Sequence, residues 1–121
     1  MSRPKTVLFT ACSFFPKDRY DALVTLASVL LCQLRINCPD WRVATDFPVY
    51  GLPVSWGPDT CIETPEPTEF ESVEARYLSV CHSYDVFFAF YCQEYILHRN
   101  ALQALSDVCL TVGKPFYLFR C

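Results

Sequence analysis

Residues 83–90, Ser83-Tyr84-Asp85-Val86-Phe87-Phe88-Ala89-Phe90, and residues 113–119, Gly113-Lys114-Pro115-Phe116-Tyr117-Leu118-Phe119, enclose a polar stretch of helical composition. The order is strand, helix, glycine stop, strand. A short continuous apolar run belongs to a strand buried on both faces, which is how strands of a parallel sheet read. A helix between two such strands is a crossover that sets them parallel, and open parallel sheets receive ligands or partners at the carboxyl ends of their strands. Gly113 supplies the left-handed stop for a helix over residues 100–112, and Pro115 prevents its continuation.

Upstream, Thr6-Val7-Leu8-Phe9-Thr10-Ala11 is a second run of this kind and makes the first strand. Residues 18–34 read as a helix, with Asp18 and Asp21 near the positive end of its dipole and Leu23, Leu26, Ala27, Leu30 and Leu34 on one face. Val24, Val29 and Leu31 fall outside that stripe, and no charge stands between Asp21 and Arg35. The helix is therefore either packed deeply under loops or presents Val24 and Leu31 to a partner. It is too short for the roughly 20 apolar residues that span a bilayer.

A turn at residues 37–40 leads to a strand at 41–45. A long irregular loop follows over 46–67, carrying Pro48, Pro53, Pro58, Pro65, Pro67, Gly51 and Gly57; loops of that length are usually functional. Thr68-Glu69-Phe70-Glu71 has the form of a capping box and opens a helix to about residue 82, with Phe70, Val73, Tyr77, Leu78 and Cys81 on one face. The third strand is expected at 85–90 and the fourth at 116–119. Together these elements predict one α/β domain over residues 1–121: three layers around a four-stranded parallel sheet of order 2-1-3-4, flavodoxin-like. The last strand lies at an edge. An apolar edge is prone to association, which makes Phe116, Tyr117 and Phe119 candidate contacts for a protein partner or a second copy.

Composition narrows the function. One domain of this length buries about two-thirds of its unfolded surface. With 52% apolar residues and 16% aromatics, disorder is excluded as the general state. The net charge is −3, and the basic residues are scattered without a run, so the footprint of a nucleic-acid binder is missing. The eight cysteines contain no Cys-x-x-Cys pair and stand in no ligand spacing with His82 or His98. No metal is expected, nor any cofactor. The start of the chain lacks the pattern of a secretory signal. Most of the cysteines then read as small buried hydrophobes in a reducing, cytoplasmic setting.

The switch point between the first and third strands is the default ligand site. It gathers Cys12, Ser13 and Phe14 from one loop, Tyr91 and Glu94 from the other, and Asp46 from the end of the second strand. With only three glycines in the chain, neither a P-loop nor a dinucleotide-binding turn is present. Cys12 has the position of a nucleophile but no assured base, and a buried structural thiol is the competing reading.

The strand around Thr10-Ala11-Cys12-Ser13, the following helix, the segment Asp46-Phe47-Pro48-Val49-Tyr50-Gly51 and the run from Phe90 to Leu105 resemble a Toll/interleukin-1-receptor (TIR) domain. In that family an Asp, a Pro and a Gly mark the loop after the second strand, which contacts partner domains; the resemblance implies such a role for Pro48 and Gly51. The chain also resembles nucleoside 2-deoxyribosyltransferase-like proteins, through Gly113-Lys114-Pro115 and the strand after it. Both groups include enzymes that break an N-glycosidic bond with a glutamate on the helix before that motif. Here Gln103 is the nearest equivalent, and an amide cannot be the carboxylate nucleophile; Asp107 lies about one turn further on. The resemblance thus implies a non-catalytic interaction domain. The alternatives are an N-glycosidase using Glu94, Asp107 or Asp46, and a domain that binds a nucleotide signal.

Overall fold

The computed structural model describes residues 4–12, 15–62, 75, 77–78, 81–92 and 96–121. Its elements are β1 (Thr6–Thr10), α1 (Tyr20–Asn37), β2 (Arg42–Thr45), β3 (Thr60–Cys61), β4 (Val86–Tyr91), α2 (Ile96–Val112) and β5 (Phe116–Arg120), with short 3-10 turns at Lys17–Arg19 and Val54–Trp56. The strands form one sheet of order β3-β2-β1-β4-β5, parallel throughout. The four longer strands stand in the order expected. The sheet gains a fifth strand, β3, from within the proline-rich stretch.

Hydrogen bonding explains that addition. Asp59 accepts the Val43 amide on its carboxylate at 2.8 Å and donates its own amide to the Val43 carbonyl at 2.8 Å, while the Ile62 amide donates to the Thr45 carbonyl at 2.7 Å. Arg35, near the end of α1, secures the approach by donating to the carbonyl of Trp41 at 3.2 Å, to that of Gly57 at 2.6 Å and to the Asp59 carboxylate at 3.1 Å. The capping box at 68–71 lies outside the described residues. Residues 75, 77, 78 and 81 of the expected helix are helical, with Tyr77 and Cys81 buried and Leu78 45% exposed.

Side chains alternate across the sheet as strand geometry requires. Val7, Phe9, Val43, Val86 and Phe90 face α1, packing with Leu23, Ala27 and Leu31. Leu8, Ala44, Phe87 and Ala89 face the other way, against Ala101, Leu105, Val108 and Cys109 of α2 and against Tyr77 and Cys81. The result is the three-layer arrangement.

Val24 and Leu31 are corrected here: both are core residues, 6% and 0% exposed. The buried stripe of α1 is Leu23, Val24, Ala27 and Leu31, turned by part of a residue from the one expected, so that Leu26, Leu30 and Leu34 flank it as partly buried neighbours. An almost uniformly apolar helix carries too little contrast for periodicity to fix its rotation. The end of α2 follows expectation. Gly113 takes φ +74°, the Lys114 amide donates to the Cys109 carbonyl at 2.9 Å and the Gly113 amide to that of Leu110 at 3.4 Å, as in a Schellman stop.

Candidate functional site

The chain leaves β1 toward α1 on one face and leaves β4 toward α2 on the other. The carboxyl ends of these neighbouring strands are therefore a topological switch point. The register Phe9↔Thr45 brings Thr10 level with Asp46, one step further on. Asp46 accepts the Thr10 hydroxyl at 2.5 Å on one oxygen and the Ala11 amide at 2.8 Å on the other, while the Cys12 amide donates to the Thr10 hydroxyl oxygen at 3.0 Å. Cys12 adopts φ 59°, a conformation that costs an L-residue about 1–2 kcal/mol, and the turn around it is held by these bonds. Asp46 thus acts as a part-buried cap on β1.

Cys12 is 8% exposed. Burial, and next the Asp46 charge, push its thiol far above the ordinary range, which is the reverse of what a nucleophilic cysteine needs. Behind it, Phe15 meets His98 edge-on with ring centres 5.1 Å apart, and His98 is fully buried. His98, which the sequence could not bring to Cys12, and Thr10, which it did not single out, also belong to this region. A threonine closing an apolar strand beside the Asp46 position was the signal available for the second. Ser13, Phe14 and Glu94 lie outside the described residues.

The thiols carry a pH consequence. Burial first and a neighbouring cysteine second also raise Cys109 and Cys121, each to about 11. Above roughly pH 8.5 the thiols of an unfolded chain ionise while these stay protonated in the fold. The unfolded state then binds fewer protons, so stability falls as pH rises. For Cys12 the slope reaches about 1.4 kcal/mol per pH unit. Denaturation curves across that window are expected to move steadily toward lower denaturant, and Cys12→Ala to flatten the trend; an unchanged slope in the variant would refute the assignment.

The remaining site residues divide differently from the expectation. Tyr91 lines an open groove of about 290 Å³ between α2 and β5, together with Arg99, Leu102, Gln103, Ser106, Phe116 and Leu118. Gln103 donates its amide to Asp107 at 2.9 Å on the exposed side of α2. Asp107 is therefore an exposed partner of Gln103 rather than a carboxylate set deep in a cleft. Pro48 and Gly51 are exposed, and Gly51 has φ +87° with open space where a Cβ would stand.

At the edge, Tyr117 and Leu118 are 53% and 49% exposed, whereas Phe116 and Phe119 are partly buried against the two sides of the sheet. A row of rings runs to this edge: Phe88 stacks on Phe9 at 5.2 Å and meets Phe119 at 5.1 Å and Tyr117 at 5.6 Å. Comparison of the chain with protein-family models, with curated proteins and with solved structures finds no match. All eight cysteines are free. Among the described residues no helix is long and apolar enough to cross a membrane, and no cluster of three or more His, Cys, Asp or Glu side chains could hold a metal ion.

Proposed function

We propose that this domain is a non-catalytic protein-interaction module of TIR-like architecture, an adaptor or antagonist that works through homo- or hetero-association. The observation that carries the reading is the edge strand β5, whose Tyr117 and Leu118 stand about half exposed at the end of an aromatic row. Exposed apolar edges are association sites unless something covers them. The chemistry of α2 supports the same reading, because Gln103 is by resemblance the nearest equivalent of the glutamate those enzymes use, and an amide cannot be the nucleophile. Eight free thiols suit a reducing, cytoplasmic compartment.

Light scattering of the purified chain, with affinity capture from cells, tests the proposal. Association with a copy or with a defined partner is expected. A strictly monomeric protein that captures nothing, or base release from NAD or nucleosides that disappears in Asp107→Ala, would overturn it. A second reading, binding of a nucleoside or nucleotide, draws on the groove beside Tyr91, Arg99 and Ser106, which offers a ring, a cation and a hydroxyl to one ligand. Calorimetric titration with cyclic nucleotides and ADP-ribose derivatives decides it, and flat traces would remove it.

A further inference from the structure

The backbone of β5 has a phase, and that phase specifies what it can pair with. Phe87 donates its amide to the Pro115 carbonyl at 3.0 Å, and Cys121 donates its amide to the Tyr91 carbonyl at 3.0 Å. In a parallel pair these bonds fall on every second residue of a strand. With the register Phe87↔Phe116 through Tyr91↔Arg120, Tyr117 and Phe119 direct N–H and C=O toward β4. Phe116 and Leu118 direct theirs to the outer edge, where no strand among the described residues pairs. Pro115 stands just before this row and does not interrupt it.

We infer that β5 pairs antiparallel with β5 of a second copy, about a two-fold axis at Leu118, joining two sheets into one. This rests on the proposed interaction role and commits it to a self-association surface. The argument is self-complementarity. An antiparallel pair exchanges two hydrogen bonds between directly opposed residues at alternate positions, so an axis at Leu118 sets an outward-facing residue against its own outward-facing copy. One step away, Tyr117 of each copy lies opposite Phe119 of the other. These are the narrow, non-hydrogen-bonded positions, where aromatic cross-strand pairs contribute most.

Both residues stand on the α1 side, at the end of the row formed by Phe9, Phe88 and Phe119, so pairing continues each ring row into its copy. On the other side the two Leu118 side chains meet beside the groove under α2 and extend the contact beyond the edge. Charge does not oppose the arrangement, because Arg120 falls opposite Phe116 and the two Arg120 residues stand at opposite ends of the paired strands. The strand carries none of the usual guards against edge pairing at its centre, neither proline, bulge nor central charge.

Sedimentation velocity on the full chain over a dilution series is expected to show a dimer. Leu118→Pro removes only the outward N–H, since position 118 gives β4 no donor, and Leu118→Lys opposes two like charges on the axis. Each is expected to weaken the dimer at least about ten-fold while circular dichroism retains the folded spectrum. Leu118→Cys gives a geometric readout. Hydrogen-bonded opposed residues lie about 5.5 Å apart between Cα atoms, within disulfide reach, so mild oxidation is expected to yield a 118–118 cross-link identified by peptide mass. Tyr117→Cys, displaced from the axis, is expected to yield no 117–117 link.

A dimer indifferent to both Leu118 substitutions and lacking the 118–118 link would overturn this surface and leave the interaction role standing. A monomer at every concentration that still captures a cellular partner would do the same. A monomer with no partner would end both.

Discussion

Phe90→Ala is expected to lower the stability of the domain by about 3–5 kcal/mol, a large share of the roughly 5–15 kcal/mol that folded domains possess. Phe90 is fully buried near the carboxyl end of β4, and its ring centre lies 5.7 Å from Phe9, 5.8 Å from Phe47 and 5.7 Å from Phe119. Those three rings come from β1, from the segment after β2 and from β5, so one side chain ties elements distant in sequence on the α1 side. Its removal leaves a cavity that a sheet fixed by parallel ladders on both sides of β4 closes poorly. Phe88→Ala, two residues earlier on the same face but only partly buried, is expected to cost clearly less. Urea denaturation of the two variants checks this. Equal midpoints for Phe88→Ala and Phe90→Ala would mean that the core is not organised around Phe90.

This contrast shows how far the residues alone carry the fold. Continuous apolar runs such as Val7-Leu8-Phe9 and Val86-Phe87-Phe88-Ala89-Phe90 leave little choice but a strand buried on both faces, and Gly113 with Pro115 punctuates the last crossover. The parallel sheet and the order of its long strands were therefore readable. The exact face of α1 was not, because Val24 and Leu31 are as apolar as Leu26 and Leu30 and only the shape of the sheet decides which of them it meets. β3 was hidden for a different reason. Two residues among prolines have no pattern of their own, and their place is set by Asp59 and Arg35 bonding across 16 and 24 positions of chain.

The candidate site was readable as a location but not as a chemistry. Brought together, Asp46 makes a part-buried cap on β1 and Cys12 a poorly ionisable thiol, because burial and the neighbouring carboxylate both disfavour the thiolate. A single sequence states neither the burial nor the proximity that separate a structural pair from a reactive site.

Asp46 is where that distinction can be measured. Asp46→Ala is expected to destabilise the domain by about 3 kcal/mol or more, because it removes a charged acceptor from two donors, each such bond being worth about 1.5–3 kcal/mol. It also leaves the Thr10 hydroxyl, 0% exposed, buried without its acceptor. Asp46→Asn keeps one carbonyl oxygen and is expected to lose about half as much. Thr10→Val, which keeps the volume but removes both the donor to Asp46 and the acceptor of the Cys12 amide, is expected to cost about 2 kcal/mol or more. Since Thr10 and Asp46 form one network, the double variant Thr10→Val with Asp46→Ala should cost less than the sum, with a coupling above about 0.5 kcal/mol. Strict additivity would show that the two act separately and that the cap is not a unit. The proposed pairing of β5 with its copy supplies the complementary readout. A structural Asp46 acts only through the stability of the fold, so Asp46→Asn measured under folding conditions should leave the dimer constant unchanged. Loss of association in a still-folded Asp46→Asn protein would instead place Asp46 in the partner surface.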